Sequence, residues 1–173
     1  MKKIIIYGSQ YGTTRRYAKK MSEMTGIPVM SYEEIKDLSQ YDGIIHFGGL
    51  YAGGVKGLKN TIKALPQDAS LMIVTVGLTD VSVKENTDHI KKSISQQVPQ
   101  SVLARTKILH LRGGIDYSQL SFMHKTMMSL LYKKARNLPE EKKSPEVRDM
   151  IDTYNQKVDF TDFSSLQQVI DAL

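Results

Sequence analysis

Five short apolar runs recur along the chain: Ile4-Ile5-Ile6-Tyr7, Pro28-Val29-Met30, Gly43-Ile44-Ile45-His46-Phe47-Gly48, the segment from Leu71 to Val76, and Ile108-Leu109-His110-Leu111. They scarcely alternate between apolar and polar positions, which is the pattern of parallel strands covered on both faces. The stretches between them carry helical signals. Ser31 and Glu34 have capping-box spacing ahead of Ile35 and Leu38, and Val55, Leu58, Ile62 and Leu65 keep helical spacing up to Pro66. A further helix is predicted from about Val83 to Val98, with Ile90 and Ile94 facing inward. Strands alternating with helices at this spacing predict an α/β fold, a doubly wound parallel sheet of five strands with right-handed crossovers.

Beyond the fifth run the pattern changes. Leu120, Met123, Met127, Leu130 and Leu131 stripe a helix predicted over Tyr117 to Arg136, which Asn137 and Pro139 end. Ser144-Pro145 starts a short helix carrying Val147, Met150, Ile151 and Tyr154. Asp162 caps a last one, with Phe163, Leu166, Val169, Ile170 and Leu173 inward. The charged link from Asn137 to Lys143 is the candidate mobile loop. No internal repeat is visible, and the 173 residues fit one domain spanning 1–173.

The most informative residues follow the first strand. Ser9-Gln10-Tyr11-Gly12-Thr13-Thr14 lies between a strand and a helix, where the first backbone N–H groups of the helix point outward and its dipole favours an anion. Gly12 lets the backbone approach a ligand, and nothing in the loop supplies a nucleophile or base. The predicted guest is a phosphorylated cofactor. Ligands of open α/β sheets bind beyond the C-terminal strand ends where strand order reverses. Two more glycine-rich segments converge there: Gly48-Gly49-Leu50-Tyr51-Ala52-Gly53-Gly54 and Val76-Gly77-Leu78-Thr79-Asp80, with Arg112-Gly113-Gly114-Ile115-Asp116-Tyr117 after the fifth strand. A planar, polar-edged ring fits between such loops, with Tyr51 offering an apolar face.

Charge and composition narrow the choice. The formal net charge of +6 favours anionic partners without choosing among nucleic acid, acidic lipid, a carboxylated substrate or an acidic redox protein. Much of it is scattered over helices, and only Lys133-Lys134-Ala135-Arg136 with Lys142-Lys143 is concentrated. The absence of cysteine excludes disulfides, thiolate metal ligands and cysteine catalysis, and is compatible with a reducing compartment. The apolar stretch after Met1-Lys2-Lys3 is too short for a signal peptide, so a soluble, cytoplasmic protein is expected.

Strand, Ser-x-x-Gly-x-Thr, helix resembles the flavodoxin phosphate fingerprint, Thr/Ser-x-Thr-Gly-x-Thr. More narrowly, four features resemble the flavodoxin-domain branch that includes the menaquinone-dependent protoporphyrinogen oxidases: Tyr11 to Arg15, Gly48 to Gly54, the basic Met-rich stretch Phe122 to Arg136, and Thr161-Asp162-Phe163. The resemblance implies a flavodoxin-like sheet of order 2-1-3-4-5 with an extra helical segment after strand five, and FMN as cofactor. It assigns the phosphate to the hydroxyls of Ser9, Thr13 and Thr14 and the N–H groups of Gln10 to Thr14, including Tyr11 and Gly12. It borders the isoalloxazine with Leu50, Tyr51, Ala52 and Gly53 and with Gly77, Leu78 and Thr79, while Gly113, Gly114, Asp116 and Tyr117 close one side. The Ala52-Gly53 peptide becomes the candidate for tuning flavin N5. Tyr11 departs from the fingerprint's threonine, and no tryptophan is present to stack on the ring.

The expected function is FMN-dependent electron transfer; the alternative is a quinone-linked, protoporphyrinogen dehydrogenase-like oxidoreductase. A basic module without cofactor is a third class. The redox partner, a protein or a quinone, is unidentified, and the basic helix over 119–136 offers a possible peripheral membrane contact. The triphosphate-binding loop and the Gly-x-Gly-x-x-Gly pattern are absent, and a phospho-accepting receiver domain would need acids where Gly8-Ser9 and Gly48-Gly49 stand. His46 and His110 read as packed core residues, His89 and His124 as isolated helix positions, and no spacing suggests a metal. Ser9 has no local histidine to activate it, and no aromatic-basic platform for nucleic acid is evident.

Overall fold

The first apolar run forms strand β1 (Lys3–Gly8) at the heart of a parallel sheet in the computed structural model, which describes residues 1–51 and 54–173. Its neighbours are β2 (Val29–Ser31) and β3 (Gly43–Tyr51). Beyond β3 lie β5 (Ser70–Gly77) and β6 (Thr106–Arg112), while the short β4 (Gly54–Val55) turns back antiparallel on the end of β3. The order β2-β1-β3-β5-β6 is the predicted 2-1-3-4-5 arrangement once β4 is set aside. Strand order therefore reverses between β1 and β3, which opens the ligand crevice beside the loop that leaves β1.

Successive strand residues point to opposite faces, and each face has its own core. Ile4, Ile6, Ile44, Leu71 and Ile73 pack under α2 (Leu58–Ala64) and α3 (Lys84–Ser95) through Leu58, Ile90 and Ile94. Ile5, Ile45, Phe47, Met72 and Val74 pack under α1 (Thr13–Thr25) through Tyr17, Ala18 and Met21. Burial on both sides is why the strands are continuously apolar. The Tyr17 hydroxyl, inside the second core, donates to Arg112 O at 2.8 Å and accepts from the Asp162 N–H at 2.9 Å, tying α1 to β6 and to the C-terminal segment.

Several local expectations are corrected. The Ser31–Glu34 capping box forms, but it closes one 3-10 turn over Tyr32–Glu34 rather than opening an α-helix. The Asp37 carboxylate then accepts from the Ser39 N–H and hydroxyl, drawing the backbone into a side-chain-closed turn. Val55 belongs to β4, so the helical spacing it shared with Leu58 was coincidental. The expected helix from Tyr117 divides into a 3-10 turn, Tyr117–Gln119, and α5 (Phe122–Arg136), because the Ser121 hydroxyl caps the His124 N–H and starts a new helix. Asp162 caps a 3-10 turn over Phe163–Leu166 that runs into α7 (Gln167–Asp171), and Leu173 remains 38% exposed.

The remaining elements are α4 (Gln100–Leu103), α6 (Pro145–Asp152) and an antiparallel ribbon of β7 (Gly114–Asp116) with β8 (Lys157–Asp159). This ribbon, α5 and α6 enclose a third cluster of Ile115, Tyr117, Leu120 and Met128, joined by Tyr11 and Leu78 from the loops at the strand ends. No helix among the described residues is long and apolar enough to cross a membrane.

Candidate functional site

Gly12 sets the geometry of the first loop. Its φ of 94° lies in the left-handed region, and it occupies the N-cap of α1 without any side chain capping the helix. Its N–H donates to Ser9 Oγ at 3.1 Å, which tightens the loop and leaves the first-turn N–H groups of α1 facing outward. The first turn holds no acid and carries Arg15 and Arg16, so neither a carboxylate nor a hydroxyl answers the positive helix end. Arg16 pairs with Asp159 at 3.0 Å across to the ribbon.

The other loops crowd against this one because glycines permit it. A Cβ on Gly8 would lie 2.0 Å from Lys56 O, and one on Gly49 would lie 3.0 Å from Thr14 Oγ1. A Cβ on Gly113 would meet Val76 Cγ1 at 2.8 Å and Thr13 Cγ2 at 3.2 Å. Thr13 Oγ1 donates to Gly114 O at 3.3 Å, and the Gly113 N–H donates to Gly77 O at 2.7 Å. Arg112 fixes the loop after β5 by donating from Nε and Nη2 to Leu78 O at 3.2 and 2.9 Å, while its guanidinium stacks 3.9 Å from the Phe160 ring centre.

A cavity of about 450 Å³ opens where these loops meet. Among the predicted site residues, Ser9, Gln10, Tyr11, Thr13, Thr14, Leu50, Tyr51, Gly77, Leu78, Thr79, Gly113 and Gly114 line it. Gly12 and Asp116 instead border a polar groove on the other side of the first loop. The Asp116 carboxylate is held below the usual range by hydrogen bonds from Ser118 and by Lys157. Tyr117 is buried in the third cluster rather than on the cavity wall. Ala52 and Gly53 lie outside the described residues.

The sequence reading missed the far wall. Met128, Leu131 and Ala135 of α5, Val147 and Met150 of α6, and His89 and Ile90 of α3 roof the cavity beyond the loops. Histidines expected to be isolated serve as links here. His89 Nδ1 lies 2.8 Å from Glu146 Oε1, joining α3 to α6. Lys56 Nζ donates to Gln10 Oε1, and the Gln10 amide donates to His124 Nε2 at 2.8 Å, joining the first loop to α5. The Tyr51 hydroxyl donates to Met127 Sδ at 2.8 Å. A weak signal existed: His124 stands three residues after Ser121, in the first turn of a helix aimed at the strand ends.

Tyr11 explains how the loop tolerates the missing threonine. Its ring meets Tyr51 and His124 edge-on, with centres 6.2 and 6.0 Å apart, and its hydroxyl is buried beside the Tyr51 phenol. Burial, then the neighbouring Tyr51 and Tyr117 phenols, raise its pKa above the ordinary phenol range. Tyr117 is pushed up to about 12 by burial and by Tyr154, and its hydroxyl has no hydrogen-bond partner among the described residues. Both stay neutral at physiological pH, and Tyr11, which lines the cavity, can offer its O–H to an acceptor there.

His46 supports the site from below. Its Nε2 lies 3.0 Å from Lys56 O, which can only accept, so Nε2 carries the proton and Nδ1 accepts from the Thr61 hydroxyl at 2.9 Å. Complete burial lowers its pKa to about 4 and keeps it neutral. This fixes the Lys56 carbonyl in the place that a side chain at Gly8 would claim.

A helix N-terminus and glycine loops at the switch point of a 2-1-3-4-5 sheet define a doubly wound α/β protein with its ligand crevice at the C-terminal strand ends. A family model described as "Flavodoxin domain" matches residues 4–142, and the chain belongs to that family. Similar solved structures include a flavoprotein in complex with FMN from Lactobacillus acidophilus, with 10% identity and a TM-score of 0.46 over 64% of this chain and 91% of that one. Another is a single-site mutant of flavodoxin from Pseudomonas aeruginosa, with 16% identity and a TM-score of 0.42 over 75% of this chain and 93% of that one. A third is a mutant of Fusobacterium nucleatum flavodoxin bound to flavin mononucleotide, with 15% identity and a TM-score of 0.42 over 70% of this chain and 74% of that one. No curated protein matches the chain.

Proposed function

We propose that this protein binds FMN noncovalently in the cavity at the strand ends and transfers electrons through it. The observation that carries this reading is the uncapped, acid-free N-terminus of α1 behind left-handed Gly12, beside a largely apolar cavity bordered by three further loops. The residues fit the group. Outward N–H groups of the first loop and α1, with the remaining donor of Ser9, suit a phosphate dianion. Leu50, Tyr51, Leu78 and the backbone at Gly77, Gly113 and Gly114 suit a flat ring with polar edges. Bound FMN supplies one- and two-electron redox chemistry, while the chain supplies orientation, exclusion of water and edge hydrogen bonds.

Titrating the protein with FMN and following its visible absorbance tests the reading. Stoichiometric binding is expected, and Gly12→Val, which forces a β-branched residue to a φ of 94°, should weaken it at least tenfold. Full FMN occupancy in that variant would remove the phosphate loop from the assignment.

One observation favours the enzymatic alternative. The cavity continues past the three loops under α3, α5 and α6, so its roof offers contact to a small molecule more readily than to a protein surface. That supports the second reading, a dehydrogenase of the protoporphyrinogen type with a quinone acceptor. Steady-state turnover of protoporphyrinogen with a soluble quinone by the FMN-loaded protein separates the two, and no turnover leaves the electron carrier.

A further inference from the structure

Met123 and Leu130 belong to the apolar stripe read on helix α5, and the structure turns both outward. Phe122 is 86% exposed, Met123 74% and Leu130 64%, although single exposed apolar residues need no explanation. These three do, because they share a face. At about 100° per residue they fall within an arc of roughly 100°, and Phe122 and Leu130 stand about 12 Å apart along the axis. A cluster of large apolar side chains on one exposed surface marks an interaction site.

The charges carried by α5 itself are all of one sign. Lys125, Lys133, Lys134 and Arg136 are exposed on the same helix, and no Asp or Glu occurs between Asp116 and Glu140. On the helical projection Lys133 lies within the apolar arc, Lys134 beside Met123, and Lys125 and Arg136 on the opposite flank. The inner face is occupied: Met128 and Ala135 are buried on the cavity wall, with Leu131 beside them. The helix therefore has one face closing the ligand cavity and another, apolar and basic, turned to solvent.

We propose that the outer face of α5 docks on an anionic phospholipid surface, with Phe122, Met123 and Leu130 entering the headgroup–acyl boundary and the four basic side chains meeting lipid phosphates. Apolar residues flanked along the helix by cations match that boundary, which is apolar inside and negative at its rim. A second copy of this chain matches it poorly, because a twofold contact would set the same basic groups against one another. The docked helix leaves the cavity about one helix diameter, some 10 Å, from the lipid. The docking itself is independent of which cofactor the cavity holds.

Vesicle flotation of the full chain is the test, using phosphatidylcholine vesicles with and without phosphatidylglycerol. Binding to the phosphatidylglycerol vesicles at least tenfold stronger than to phosphatidylcholine alone is expected. It should weaken with added salt, and fall at least tenfold in Phe122→Ser/Leu130→Ser and in Lys125→Glu/Lys133→Glu. An unchanged melting midpoint and unchanged FMN absorbance show that the first double variant is folded and its cavity intact. No binding to either vesicle, or undiminished binding by the folded Phe122→Ser/Leu130→Ser variant, overturns the proposal. So does light scattering that finds a dimer which this variant abolishes.

Discussion

The sheet with its first loops and the segment after β6 solve the same problem by opposite means. In the sheet half, the central strands β1, β3 and β5 are each held by two neighbours and two apolar layers, so Ile4, Ile5, Ile6, Phe47, Ile73 and Val74 reach zero exposure. In the later segment, α5, α6 and the β7–β8 ribbon share one small cluster, and α6 buries no residue completely. The first half is positioned by packing; α5, α6 and the ribbon are tied to it through Tyr11 and Leu78 in the third cluster and by a few polar links, Gln10–His124, His89–Glu146 and Arg16–Asp159, while Leu166 and Val169 near the C-terminus belong to the second sheet core. A binding site built across this divide has a fixed floor and a roof of lower local stability.

The strongest way to break the comparison is at Gly8. Gly8→Ala sets a Cβ 2.0 Å from a backbone carbonyl in the rigid half, and a loss of about 3 kcal/mol or more is expected in denaturant unfolding. A loss below about 1 kcal/mol would show that the 54–57 segment yields instead. The acid response is next in size. His46 stays neutral in the fold down to about 4 but takes up a proton near 6.5 once unfolded. The unfolded state therefore binds more protons in that window, and the contribution is complete above pH 6.5 and lost as pH falls toward 4, on the order of 3 kcal/mol. Unfolding midpoints that stay flat from pH 7 to 4.5 would contradict the buried neutral imidazole.

Two smaller changes sharpen the contrast. Met128→Ala removes a cluster residue under the roof and should cost about 2 kcal/mol, with hydrogen exchange accelerated in α5 and α6 but not in β1, β3 or β5. Equal acceleration in the sheet would mean that the two regions unfold as one unit. His124→Ala removes one half-buried link and should cost about 1 kcal/mol or less. Its visible effect is faster amide exchange at the start of α5, and an unchanged rate there would show that the Gln10–His124 bond does not hold the roof.

The difference between the halves also explains what could be read in advance. Runs such as Ile4-Ile5-Ile6 and Leu71 to Val76 carry a strand signal that burial on both faces makes continuous, so strand identity followed from local pattern, while strand order was implied by the family resemblance. The loop Ser9 to Thr14 was readable for a similar reason: a glycine between a strand and a helix has few structural alternatives. Which stripe residues of α5 face solvent was not readable. Met123, Met127, Leu130 and Leu131 fit helical periodicity, but periodicity finds a stripe without saying which side the rest of the chain will cover. The roles of His89 and His124 depend on partners 57 and 114 residues away, which no local window contains.

By itself, then, the sequence determined the strands, the glycine loop that opens α1 and the absence of any thiol chemistry, because each depends on neighbouring residues or on composition, while the strand order came from the family resemblance. The tertiary structure alone decided that Tyr11 packs into the third cluster, that three helices roof the cavity, and that Phe122 and Leu130 face outward. Those outcomes rest on contacts between segments far apart in the chain, where which surface gets buried is settled by everything that folds around it.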